Sequence, residues 1–150
     1  MEGSTMVSGL SGLEEGRKVM GEGRPFPDAP RPSPFTHLSL WIPVALWAGF
    51  IFYLSSVPNL RFMKNDLLDF VVRKVGHMGV FGILARLFTR ALTGSTWWSW
   101  KKIFTASLVL TFLYACSDEY HQAYVPGRHP SSKDVAIDTF GAWLALGLKP

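Results

Sequence analysis

Between Ser117 and Gly141 the chain reads SDEYHQAYVPGRHPSSKDVAIDTFG, a stretch dense in groups that can move protons or hold an anion. Asp118 beside Glu119 is the kind of carboxylate pair in which one acid is pushed toward neutrality. The same pair is explained equally well by charge balance from Arg128 and Lys74. An imidazole is the side chain suited to proton transfer near neutral pH, which makes His77 and His121 candidate bases. Asp134 and Asp138 stand four apart, on one face of a helix. Arg128 carries a planar fork that can clamp a carboxylate of Asp118, Glu119 or Asp134, or bind a phosphate or carboxylate of a ligand. The candidate catalytic groups are therefore Glu119, Asp118, His77 and His121. The wider polar network comprises Lys74, His77, Asp118, Glu119, Gln122, Arg128, Asp134 and Asp138. Neither C-x-x-C nor H-E-x-x-H spacing occurs, so no metal and no cofactor are expected. Ser55 and Ser56 read as a helix stop ahead of Pro58 rather than as nucleophiles.

These charges lie between apolar runs. Hydrophobic residues make up 48% of the 150, with six Trp and eleven Phe, and only 17% are charged. That balance points to a membrane protein. The net charge of +4 is scattered between the apolar runs, without the basic stripe of a nucleic-acid binder. The partner expected instead is a membrane lipid or lipid-linked amphiphile. Cys116 is the single cysteine, so no disulfide forms within the chain, and a small buried helical residue is the expected role.

The elements that must position the network follow from the runs. Residues 1–37 are rich in Pro, Gly and Ser and read as a disordered tail, with acidic residues where a cleavable signal needs basic ones. Residues 38–150 form one membrane domain. The first span is expected over Leu38–Leu54, stopped at Ser55-Ser56-Val57-Pro58. A polar loop or surface-lying helix follows over Asn59–Asp69. The second span covers Phe70–Leu92 and puts Arg73, Lys74 and His77 on one side. Its Gly76, Gly79 and Gly82 are expected to admit a neighbouring backbone, and Arg86 and Arg90 to reach headgroups at its far end. Thr93–Lys102 is a connection with an interfacial belt of Trp97, Trp98 and Trp100. The third span begins near Ile103 and continues into Ser117–Gln122. Pro126-Gly127 then makes a turn with positive φ at the glycine. The fourth span runs from Asp134 to Leu148, with Gly141 and Ala145 at small-residue packing distance.

Four spans return both termini to one side. The loops after the first and third spans then share the opposite side, which brings Ser55, Ser56, Lys74 and His77 to the face that carries Asp118, Glu119, Arg128 and Asp134. Counting Lys and Arg per side favours cytoplasmic termini and an outward-facing polar cluster. The expected fold is all-α: an integral membrane four-helix bundle.

The order Asp118-Glu119, Gln122, Pro126-Gly127-Arg128, Asp134, Asp138 resembles the C-terminal motif of the VanZ-like family of small bacterial membrane proteins. Lys74 with His77, and Ser55-Ser56-x-Pro58, match its upstream elements. The resemblance covers about residues 38–148. Where relatives often place an acid and a Tyr after the His, this chain has Val80 and Phe81. The resemblance implies a location in the bacterial plasma membrane and a link to lowered sensitivity toward glycopeptide and lipoglycopeptide antibiotics such as teicoplanin. Two functions are carried from it: a non-catalytic protein that binds an amphiphile or alters the cell surface, and a membrane enzyme using Glu119 or Asp118 with a His on a lipid-linked envelope substrate. The absence of a nucleophile or metal motif favours the first.

Overall fold

A computed structural model describes residues 34–58, 63–128 and 130–148. The expectations for the tail before residue 34, for Asn59–Phe62 and for His129 lie outside these residues. Four helices make up the bundle: α1 (Pro34–Ser56), α2 (Asp66–Ser95), α3 (Trp100–Gln122) and α4 (Ser132–Gly147), with no strand among the described residues.

Each boundary has a local cause. α1 is an uncharged apolar run that continues through Pro43 and stops before Pro58. α2 starts where the Asn65 side chain accepts from the amides of Leu67 and Leu68 at 3.0 and 3.1 Å, with Asp66 and Asp69 in the first turn. Both acids suit the positive end of a helix dipole. α2 therefore begins four residues earlier than the apolar run alone suggests. At about 1.5 Å per residue its 30 residues span about 45 Å, more than the ~30 Å of hydrocarbon in a bilayer. α4, with 16 residues, spans about 24 Å. Only α1, over His37–Ser56, is long and apolar enough among the described helices to cross a membrane on composition alone.

α2 is the hub, packed against all three other helices. The core holds Val44, Ile51, Phe81, Leu84, Phe88, Ala91 and Ala115, with Ala85, Ala142 and Leu146 on the α4 side. Phe81 is fully buried, with its ring stacked near His77 and tilted toward Tyr114. Cross-helix bonds from aromatic side chains fix α1: Trp47 donates to the Val80 carbonyl at 2.9 Å, and Tyr114 donates to the Ala48 carbonyl at 2.6 Å. Large apolar side chains also cover the outside, among them Leu46, Tyr53, Val75, Leu113 and Trp143.

The small residues behave unevenly. A Cβ placed on Gly141 would stand 2.6 Å from the Met78 carbonyl oxygen, and one on Gly82 would stand 3.2 Å from the Ala145 Cβ. There α2 and α4 touch almost backbone to backbone. Gly76 and Gly79 have nothing within 4 Å of that position, so the expected three-glycine seam reduces to Gly82. A step of three residues turns about 60° short of a full helical turn, and the run drifts off the contact face. Arg86 also departs from expectation, since its guanidinium donates to the Leu148 carbonyl at the end of α4 rather than reaching away from the protein. Cys116 is half-buried.

Candidate functional site

The polar end of the bundle is built by four helix ends, the C-terminal ends of α1 and α3 and the N-terminal ends of α2 and α4, meeting a turn. Val125-Pro126-Gly127-Arg128 closes through the Arg128 amide onto the Val125 carbonyl at 3.1 Å, with φ 78° at Gly127. Pro at the second position and a positive-φ Gly at the third are the residues a type II turn requires. This turn aims Arg128 at α1, and its Nη2 and Nε donate to the carbonyls of Leu54 and Val57 at 2.8 and 3.2 Å. Those carbonyls sit where helix C-termini lack intrahelical partners and carry partial negative charge. The expected clamp on a carboxylate is therefore corrected: the fork closes on the end of α1. Burial, with Arg73 close by, draws the Arg128 pKa below its ordinary value.

The carboxylates find other partners. Asp118, only 3% exposed, accepts at one oxygen from the Ser55 hydroxyl and the Gln122 amide, both at 2.8 Å. This ties α3 to α1 and gives Ser55 a structural partner. Glu119 accepts from the Ser131 amide at 2.7 Å, at the start of α4. The Ser131 hydroxyl in turn accepts from the Lys133 amide at 3.2 Å. Lys74 is bound to Asp134. His77 Nδ1 faces Asp138 Oδ1 at 3.4 Å, an ion-pair distance longer than a hydrogen bond. Asp138 is 1% exposed. His121 lies on the α1–α3 seam, with its Nε2 3.0 Å from the Ser56 hydroxyl and its ring stacked on Phe52 at 4.2 Å. No group of three or more His, Cys, Asp and Glu among the described residues has the geometry of a metal site.

Two cavities adjoin here. The polar one, about 240 Å³, is lined by Phe70, Arg73, Lys74, His77, Gln122, Gly127, Arg128 and Asp134. The apolar one, about 340 Å³, lies between α1 and α2 against Phe50, Ile51, Leu54, Val72, Gly76 and Val80. Arg73, His77 and Arg128 border both. Of the acid–base candidates, His77 alone borders them, while Asp118, Glu119 and His121 serve contacts between helices. The expected network did not include Arg73, although it was placed on the side of Lys74 and His77; it is held at 3.0 Å by Asp69 one turn earlier. The i, i+4 spacing of Asp69, Arg73 and His77 was the available signal.

No curated protein and no solved structure matches the chain. The sequence model of the VanZ/LLP1 family matches residues 29–149, which contain all four helices and every residue of the polar network. This chain belongs to the VanZ/LLP1 family.

Proposed function

We propose that this protein is a non-catalytic, four-span protein of the bacterial plasma membrane that binds an amphiphile at its polar end. In this reading the termini are cytoplasmic, the polar end faces outward, and binding lowers sensitivity to lipid-bearing glycopeptides. The observation that carries it is the pair of adjoining cavities, one polar and one apolar, with Arg73, His77 and Arg128 at their border. An amphiphile needs that pairing, a polar head beside a hydrocarbon chain. The apolar exterior of helices that carry charge within their spans supports the membrane reading.

The test is expression in a glycopeptide-sensitive Gram-positive host. Wild type is expected to lower teicoplanin susceptibility, and Arg128→Lys, which loses the planar fork, to do so less. Unchanged susceptibility at confirmed membrane levels removes the resistance reading. Single cysteines at Lys64 and Lys133 are expected to label from outside and one at Ser99 from inside; labelling of Lys64 and Lys133 from opposite faces breaks the four-span arrangement.

One observation favours an enzymatic reading. His77 borders both cavities with a carboxylate, Asp138, behind it, which is how a general base is oriented. In that reading the base is His77, because Glu119 and Asp118 are engaged elsewhere. Its test is His77→Gln, which abolishes catalysis and leaves binding of a ligand largely intact.

A further inference from the structure

The polar cavity has a charge imbalance. Arg73, Lys74 and Arg128 line it against a single carboxylate, Asp134. Lys74 is bound to that carboxylate, Arg73 is held through Nε by Asp69, and Arg128 gives Nε and Nη2 to α1. A guanidinium carries five N–H donors, so both arginines keep donors beyond these contacts. They line the same two cavities, so their like charges face a shared space. An anion between them offsets those charges. A carboxylate has two oxygens and is satisfied by one fork, whereas a terminal phosphate has three and can engage two. The apolar cavity sets the rest of the ligand. At about 30 Å³ per small group, its ~340 Å³ holds roughly eleven carbons, which is one chain and not two. Phe50 and Val72, on its wall, are 44% and 36% exposed, so it opens on the outer surface between α1 and α2.

We propose that the adjoining cavities bind a single-chain lipid phosphate, with the phosphate between Arg73 and Arg128 and the chain along Gly76 and Val80. This rests on the amphiphile reading and adds to it the chemical class of the ligand.

The test uses the full chain purified in a non-ionic detergent, with binding read by native mass spectrometry. The probes are lysophosphatidate, lysophosphatidylcholine with the same acyl chain, and glycerol 3-phosphate as the head without the chain. Lysophosphatidate is expected to bind at least about tenfold more tightly than its choline ester, a difference of about 1.4 kcal/mol. Arg73→Gln brings the two lysolipids to near parity, whereas Lys133→Gln, outside both cavities, keeps the difference. Gly76→Leu weakens both lysolipids: a Cβ at Gly76 meets nothing within 4 Å, so the larger side chain enters the cavity without striking the backbone. Equal binding of the two lysolipids to wild type overturns the phosphate assignment and leaves the amphiphile reading standing. Binding of neither, or indifference to Gly76→Leu, overturns the amphiphile reading as well. Glycerol 3-phosphate competing as strongly as lysophosphatidate overturns the lipid in favour of a free phosphate ester.

Discussion

α2 and α4 meet twice, by opposite means. Toward the polar end they are joined by charges, Lys74 on Asp134 and His77 facing Asp138. Within two turns of His77 they are joined by the absence of side chains, with Gly141 against the Met78 backbone and Gly82 against Ala145. In hydrocarbon there is no hydrophobic drive between helices, so close backbone packing and buried polar contacts must hold them. The contrast teaches which of the two is needed for folding. The tight seam is packed at van der Waals distance, and the open groove of about 370 Å³ that runs along it past Met78, Gly79, Gly82, Gly141 and Ala145 has Arg86 and Arg90 but no carboxylate on its wall. The charged seam leaves Arg73, Lys74 and His77 bordering a cavity. On the proposed reading, stability is concentrated in the first and recognition in the second.

The strongest way to break this contrast is Gly141→Leu. A Cβ there would sit 2.6 and 2.7 Å from backbone atoms of Met78, which cannot swing aside as a side chain can. Overpacking of this kind costs about 1–3 kcal/mol or more, and loss of the folded protein in a thermal unfolding assay is the expected result. Gly76→Ala is the matched control. It has open space, removes a helix-interior glycine, and should leave stability equal or raised by up to about 1 kcal/mol. Equal tolerance of both substitutions would mean that the Gly141 seam does not hold the bundle.

Asp118→Ala is next in size. It leaves the Ser55 hydroxyl and the Gln122 amide without their shared acceptor in a buried place. An orphaned buried polar group costs about 1–3 kcal/mol. The α1–α3 junction is therefore expected to loosen, read as faster hydrogen exchange at the end of α1 with little change around Gly141. A double change with Ser55→Ala should cost less than the sum of the single changes, since the two share one interaction.

Much of this was legible from the chain. Uncharged runs and the punctuation at Pro58 and Pro126-Gly127 located all four helices to within four residues at each end, because apolar length and turn chemistry are local properties. Span parity put Lys74 and His77 on the face of Asp134, where Lys74 is bound to Asp134, while the facing of His77 and Asp138 one turn further on was not part of that argument. The partner of Arg128 was not legible. Sequence shows charges to pair with charges, but the carbonyls at the end of α1 carry no residue-type mark. Nor could spacing tell Gly82 from Gly76: three-residue steps look periodic on paper and rotate out of register on a helix. Arg73 was placed on the side of Lys74 and His77 but left out of the network, because no spacing argument was drawn to Asp69 one turn before it.

The smallest expected stability effect is at the residue with the most buried charge, and it sharpens the contrast most. Asp138 is 1% exposed and neither of its oxygens has a hydrogen-bond partner among the described residues; only His77 faces it, at 3.4 Å. Burying a carboxylate on those terms carries a desolvation cost that a single distant partner offsets in part. Asp138→Asn keeps the volume, removes that cost and removes the attraction to His77, so the two changes oppose each other. The expected change in unfolding free energy is within about 1 kcal/mol, measured by denaturation in detergent beside Gly141→Leu. On the proposed reading, amphiphile binding and any teicoplanin protection it confers fall nevertheless, because His77 loses the group that holds it at the border of the cavities. A site that can be neutralised without loss of stability is held for its task rather than for the fold. If Asp138→Asn instead unfolds the protein as Gly141→Leu does, the charged seam is structural too, and the division between the two halves of the α2–α4 contact fails.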